Sequence, residues 1–218
     1  MNSVTAKLGN GSYLICNTSS CYNGVMDNEI EAQFLDINKD KIRAKLTAIG
    51  AKCVKSEVFM RRTVFYTGEH SFARVRDEGG GKIVMTYKLV SDENSILGTK
   101  EVNVAIDNYE NGILFLKSVG LEVKAEQETY RENWVYGNTE ISIDTWPWIP
   151  SFIEIEAPTE QEVWGTAAKL GYDKSQAMFG SVDAKYNHYF GVDEDVINNG
   201  TPQILFDMTP PDWVKPLN

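Results

Sequence analysis

At 218 residues with a formal net charge of −10, the chain suits one domain of ordinary size and argues against a general nucleic-acid binder, because counterion release rewards basic surfaces. A hydrophobic fraction of 42% is enough for a real core, and no stretch approaches the roughly 18 apolar residues needed to span a bilayer. Three cysteines (Cys16, Cys21, Cys53) make no disulfide framework or zinc signature, and with only His70 and His188 a His-built metal site or serine-type triad is poorly supported. With a mean hydropathy of −0.32, the reading is a protein of the reducing cytoplasm with no membrane partner.

Residues 1–25 are rich in Asn, Ser, Gly and Thr and lack periodicity. They have neither the basic start nor the apolar run of about 7–15 residues of a secretory signal, so they are expected to be a disordered leader. From residue 26 the pattern changes. Glu29-Ile30-Glu31 alternates acid with an apolar residue, and on a β-strand positions i and i+2 share a face, roughly 6.5 Å apart. Two like charges held that close need a cation, a basic side chain or open water. A helix follows, with Asn38 as N-cap, Ile42, Leu46 and Ile49 on one stripe, and Gly50 at its end.

The alternation then recurs with opposite sign. Arg74-Val75-Arg76 puts two guanidinium groups on one strand face with Ala73 and Val75 behind, and Thr86-Tyr87-Lys88 continues it within a strand over 82–90. Arg61 and Arg62, one strand earlier, have two readings: reach to a phosphate, or ordinary exposed arginines. Gly79-Gly80-Gly81 before Lys82 has no Walker spacing and reads as a hairpin turn. Next come Glu101-Val102-Asn103-Val104, a helix capped by Asp107 with Ile113, Leu116, Val119 and Gly120, then Thr129-Tyr130-Arg131 and Ile141-Ser142-Ile143-Asp144. Trp146 to Pro150 is a stiff apolar turn. Glu154-Ile155-Glu156 closes the series, followed by a helix with Thr159 as N-cap, Val163, Ala167 and Leu170 on its stripe, and Gly171. Beyond, 181–190 suggests a helix with Val182, Tyr186 and Tyr189 on one side, and Ile204-Leu205-Phe206 an edge strand. The domain is expected over 26–190, with 191–218 as a C-terminal extension packed on it or trailing from it.

Three segments thus share one plan: acidic strand, turn, helix, glycine. Glu31 to Gly50 and Glu101 to Gly120 are equally spaced, which matches Gln33 with Asn103. For one strand, a sheet with a wet face explains the charges. Over six or seven strands it does not, because the Ile and Val residues need each following helix as cover. The charges then face inward, and a closed barrel with a charged interior and helices outside is the expected α+β fold. Its guest must satisfy carboxylates with metal ions and arginines with phosphates.

In this order and spacing, the Glu-x-Glu strand, Arg-x-Arg at 74–76, Thr-x-Lys at 86–88, the acidic strand at Glu101, Arg131, Asp144 and the closing Phe152-Ile153-Glu154-Ile155-Glu156 resemble the CYTH superfamily, the triphosphate tunnel metalloenzymes, from about Asn28 to Tyr172. The resemblance implies an eight-stranded antiparallel β-barrel, or tunnel, that binds a small-molecule triphosphate with Mg²⁺ or Mn²⁺. On that reading Glu29, Glu31, Glu154 and Glu156, helped by Glu101 and Asp144, hold the metal, while Arg74, Arg76, Lys88 and Arg131 cradle the phosphates. The implied activity is hydrolysis of a triphosphate; class IV adenylyl cyclase and a non-catalytic nucleotide or polyphosphate binder are the alternatives, and a homodimer is left open. Three departures stand out: Gln33 where the family has Lys, no Lys in the Gln127-to-Tyr130 stretch before Arg131, and Asn103 in place of a second acid.

Overall fold

The computed structural model describes the backbone of residues 4–7, 13–17, 20–24, 27–90, 96 and 99–215, and the side chains of 30–89, 96 and 100–215. Where composition predicts a disordered leader, the described backbone forms β1 (Val4–Lys7), β2 (Tyr13–Asn17) and β3 (Ser20–Gly24), an antiparallel meander.

The main sheet begins with β4 (Asp27–Glu29) and β5 (Glu31–Phe34), two halves of one strand interrupted at Ile30. Helix α1 (Lys39–Ala48) leads to β6 (Lys52–Gly68), β7 (Ser71–Asp77), β8 (Ile83–Val90) and β9 (Thr99–Ile106), then α2 (Tyr109–Ser118). Strands β10 (Val123–Tyr136), β11 (Thr139–Thr145) and β12 (Phe152–Glu156) follow, then α3 (Glu160–Leu170), α4 (Val182–Phe190), α5 (Glu194–Asn198) and the short β13 (Gln203–Ile204). The hydrogen-bonded path runs β4-β9-β8-β7-β6-β10-β11-β12-β5. Because β4 pairs β9 and β5 pairs β12, the path returns to the segment it left. With β4 and β5 counted as one, a curled antiparallel sheet of eight strands results, as expected.

The orientation argued from the repeated plan holds for two of its three strands, β5 and β12; in β9 Glu101 and Asn103 do face the cavity, but Val102 and Val104 behind them are 41% and 50% exposed and not covered by the helix that follows. Ala32, Phe34, Ile153 and Ile155 are buried outward beneath α1 and α3, in one core with Ile42, Leu46, Val163 and Leu170. The alternate residues Glu31, Gln33, Glu154 and Glu156 line the interior. Asn38 and Thr159 cap α1 and α3 through their side chains. Gly50, Gly120 and Gly171 follow their helices with φ of 85°, 93° and 86°, the left-handed region that a side chain disfavours.

Helix α2 departs from expectation by one residue. Its N-cap is Asn108, whose side chain accepts from the Asn111 backbone, and not Asp107. Its buried stripe is Tyr109, Gly112 and Leu116, leaving Val119 60% exposed. Gly112 explains the close seat of this helix on β7: a Cβ there would lie 3.1 Å from a Val75 methyl and 2.5 Å from Ile106 Cδ1.

The C-terminal extension packs onto the barrel. Strand β13 joins β10 in parallel at Glu126↔Gln203 and Gln127↔Ile204, where the sequence suggested an edge strand over 204–206. Trp146, Ile149 and Phe152 from the barrel share a second core with Tyr186, Val192, Ile197 and Ile204. The apolar Trp146-to-Pro150 turn is therefore packing for this extension.

Candidate functional site

The sheet encloses a cavity of about 1120 Å³. One wall, from β5 and β12, is acidic: Glu31 stands opposite Glu156 and Gln33 opposite Glu154 in the strand register. The other wall, from β6, β7 and β8, is basic, with Arg62 opposite Arg76 and Arg74 opposite Thr86, and Lys88 further along. Alternation with period two thus delivers both charge rows to one hollow.

Between the walls the charges are partly cross-linked. Arg131 donates through Nε to Asp144 Oδ1 at 2.7 Å and through Nη2 to Asp144 Oδ2 at 2.8 Å. The same Nη2 reaches Glu154 Oε1 at 3.2 Å, and Gln33 donates to Glu154 Oε2 at 3.0 Å. Burial disfavours the Glu154 carboxylate, but Arg131, Lys88, Lys185 and the Gln33 amide overcome it and hold its pKa below the usual carboxylate range. For Arg131, burial works against the charge and Asp144 with Glu154 prevails, raising its pKa.

On the basic wall Arg74 Nη2 lies 3.8 Å from Glu101, and Asn103, the residue standing where an acid was expected, donates to Glu101 and accepts from Thr86 Oγ1 at 2.6 Å. Arg76 donates through Nε to Glu78 at 3.1 Å, and Lys82 meets the same carboxylate at 2.8 Å. Burial would raise the Glu78 pKa; Arg76 and Lys82 reverse that and hold it at about 2.

Of the expected ligands, Glu31, Glu101, Glu154 and Glu156 line the cavity, as do Arg74, Arg76, Lys88 and Arg131. Asp144 is fully buried and taken up by Arg131 and by Ser142 Oγ at 3.1 Å. The side chain of Glu29 lies outside the described residues. Glu132 and Glu128 are not partners of Arg131: Glu132 binds Arg43 at 2.7 Å, and Glu128 accepts from the Phe206 backbone at 3.0 Å.

Two contributors, Lys185 and Glu78, were not singled out as site residues from the sequence, and a third, Arg62, was left between two readings. Lys185 of α4 is 1% exposed, lies 4.9 Å over the Phe152 ring, donates to Gln33 Oε1 and reaches the Ser181 carbonyl at 3.2 Å. It lies one turn from Val182 and beside Tyr186, so its place on the buried stripe was legible from spacing alone. Burial lowers its pKa, opposed by Glu154, Glu31 and Asp144. Glu78, the residue after β7, is the acid that engages Arg76. Arg62 is 7% exposed and lies 4.7 Å over the Trp146 ring, which decides between its two readings against the exposed one.

Glu31, Glu154 and Glu156 are hard oxygen donors on two paired strands, and this donor chemistry suits Mg²⁺ or Mn²⁺. Among the described residues no three acidic side chains already converge as a finished cage.

An antiparallel barrel with charged interior, apolar strand faces turned outward under helices and a cavity between opposed acidic and basic walls defines a tunnel protein. The CYTH domain matches residues 27–178, well over half of the chain, and the chain belongs to that family. Among solved structures it is similar to the PH1012 protein of Pyrococcus horikoshii, at 23% identity and TM-score 0.61 over 68% of this chain and 93% of that one. A conserved hypothetical protein of Pyrococcus furiosus gives 20% identity and TM-score 0.60 over 68% and 94%. A proposed adenylate cyclase of Vibrio parahaemolyticus gives 12% and 0.63 over 73% and 98%. These likenesses carry the fold. No curated protein matches the sequence. Among the described residues no helix is long and apolar enough to cross a membrane.

Proposed function

We propose that the protein hydrolyses a small-molecule triphosphate bound within the tunnel, using Mg²⁺ or Mn²⁺. The observation that carries this reading is the opposition of Glu31, Glu154 and Glu156 to Arg74, Arg76 and Lys88 across one cavity. A guest there must offer anionic oxygens to one wall and a cation to the other, which a metal-complexed phosphate chain does.

Glu31, Glu154 and Glu156 would hold the ion, whose chemistry is to offset phosphate charge and acidify a water. Arg74 and Arg76 offer planar forks matched to phosphoryl oxygens, and Lys88 a point charge. Arg131, fixed by Asp144 and Glu154, keeps a guanidinium at a set place between the walls. In the reaction a water oxygen bonds to the terminal phosphorus as the bridging P–O bond breaks, releasing orthophosphate and the shortened phosphate chain. Such transfer needs chiefly positioning and charge stabilisation, which these pre-ordered cations supply.

The test is incubation with inorganic triphosphate, ATP and thiamine triphosphate in Mg²⁺ or Mn²⁺, with products separated by identity. Orthophosphate released from at least one substrate, and abolished by chelation, supports hydrolysis. Cyclic AMP with diphosphate would make the protein a cyclase instead, and metal-dependent binding without turnover would make it a sensor.

A further inference from the structure

The chain has six arginines, and five have a carboxylate within 4 Å: Arg43, Arg61, Arg74, Arg76 and Arg131. Arg62 has none among the described residues. Its described hydrogen bond is from Nη2 to Thr129 Oγ1 at 2.9 Å, and its buried Nε has no hydrogen-bond partner. It lines the cavity beside the basic wall, directly opposite Arg76 in the β6–β7 register, with the Trp146 ring beneath it.

A neutral hydroxyl and an aromatic face do not offset the desolvation of a guanidinium placed among like charges. Burial, then Arg76, Arg74 and Arg131, press against its charge, opposed more weakly by Asp144, which Arg131 and Ser142 already engage. Trp146 sits in the core made with the C-terminal extension, so the ring that supports Arg62 is held in place and the residue has little room to escape to water. A structural arginine would be expected to resemble the other five and carry its own acid. Arg62 is instead arranged as though its acid arrives from outside.

We propose that Arg62 is the tunnel's anion socket: it directly binds a phosphoryl group of the incoming phosphate chain, as the specificity contact for a fully desolvated oxyanion. The proposal rests on the triphosphate reading above and names the residue on which binding turns. The fork geometry suits two phosphoryl oxygens, with the free Nε as one donor. Arg74, Arg76 and Arg131 already share carboxylates and give up part of their field to them; Arg62 gives up none. The chemistry selected is a compact, multiply charged oxyanion, since a carboxylate or a neutral base would leave the surrounding positive charge unmet.

The inference makes two effects of one substitution run in opposite directions. Arg62→Met keeps the volume and the contact with Trp146 but removes the uncompensated charge. Without ligand its melting temperature should equal or exceed that of the wild type. Its affinity for inorganic triphosphate, measured by calorimetry in Mg²⁺, should fall by about tenfold to a hundredfold, the loss expected for a charged hydrogen bond. Arg62→Lys keeps the charge but not the fork, and should lose affinity by a smaller factor with its melting temperature unchanged. A marked drop in melting temperature for Arg62→Met, including failure to fold, overturns the proposal by showing that the guanidinium holds the barrel together. So does wild-type affinity in either variant. If the wild-type protein itself binds no triphosphate, the proposed function fails first, and that result is read before the variants are compared.

Discussion

Arg131 and Asp144 face each other across the β10–β11 ladder and make a two-pronged ion pair, at 2.7 and 2.8 Å, with the carboxylate fully buried. A third contact from the same guanidinium, to Glu154, ties this pair to the acidic wall. Asp144 thus acts through Arg131. Breaking a buried pair strands the remaining charge, at a cost of about 3–5 kcal/mol. Asp144→Asn should therefore lower unfolding stability by an amount of that order in urea titrations, while Ser142→Ala, which removes a single neutral donor to the same carboxylate, should cost roughly 1 kcal/mol. Equal small effects would show that Arg131 is held by Glu154 alone.

Glu31 and Glu156 are paired in register and both face the cavity. Under the proposed function their carboxylates hold the metal. Glu31→Gln and Glu156→Gln should each reduce metal-dependent phosphate release by about 100-fold or more, in the range of a lost electrostatic contributor, with the circular dichroism spectrum unchanged. Raising Mn²⁺ should recover part of the rate in each variant, because the lost ligand weakens metal affinity first. Near-full activity in either one excludes it from the metal set.

Gln33 sits where the family resemblance implies a lysine, and its side chain bridges a carboxylate and a second lysine. Its amide donates to Glu154 at 3.0 Å, while its carbonyl accepts from Lys185, which α4 brings in from 152 positions away. The substitution Gln33→Lys is therefore not a simple restoration, since it sets two buried ammonium groups against each other. Gln33→Lys alone should destabilise the chain by about 2–4 kcal/mol, and Lys185→Met alone by about 1–3 kcal/mol through the orphaned carbonyl. The double variant should be more stable than the sum predicts, with a coupling of at least about 1 kcal/mol. Additive effects would mean that the two side chains do not meet.

Much of the barrel was readable because a period of two leaves no freedom about faces. Once Ile30, Val75 and Ile155 are assigned to the helix-covered side, Glu31, Arg74, Arg76 and Glu154 must point the other way. The helix-ending glycines were readable for an equally local reason, the positive φ they adopt. The cap of α2 was displaced because Asp107 and Asn108 are both good caps, and only tertiary seating through Gly112 chooses between them. Which acids are taken up by an arginine was not readable. That depends on cross-strand register, which set Asp144 beside Arg131, and on a late helix that delivers Lys185. Arg62 was left between two readings because burial by Trp146 and the C-terminal core is a non-local fact.

Glu78 provides a test by pH that is independent of substrate. Its carboxyl ordinarily ionises at 4.5 and is held at about 2 in the folded chain, where Arg76 and Lys82 outweigh its burial. The folded state therefore binds fewer protons than the unfolded chain between these values, and acidification favours unfolding there. The stability that Glu78 contributes is fully present above pH 4.5 and is lost as pH falls through about 2; the shift sets a ceiling of about 3.4 kcal/mol at 1.36 kcal/mol per pKa unit, and solvent screening of this half-buried group reduces it to roughly 2 kcal/mol. Glu78→Gln removes this contribution at neutral pH and leaves nothing to lose on acidification. Urea midpoints measured at pH 7 and pH 3 should thus fall less steeply for the variant than for the wild type, so that the gap between the two proteins narrows at pH 3 and closes only below about pH 2. Parallel pH profiles would show that Arg76 and Lys82 do not hold this carboxylate ionised.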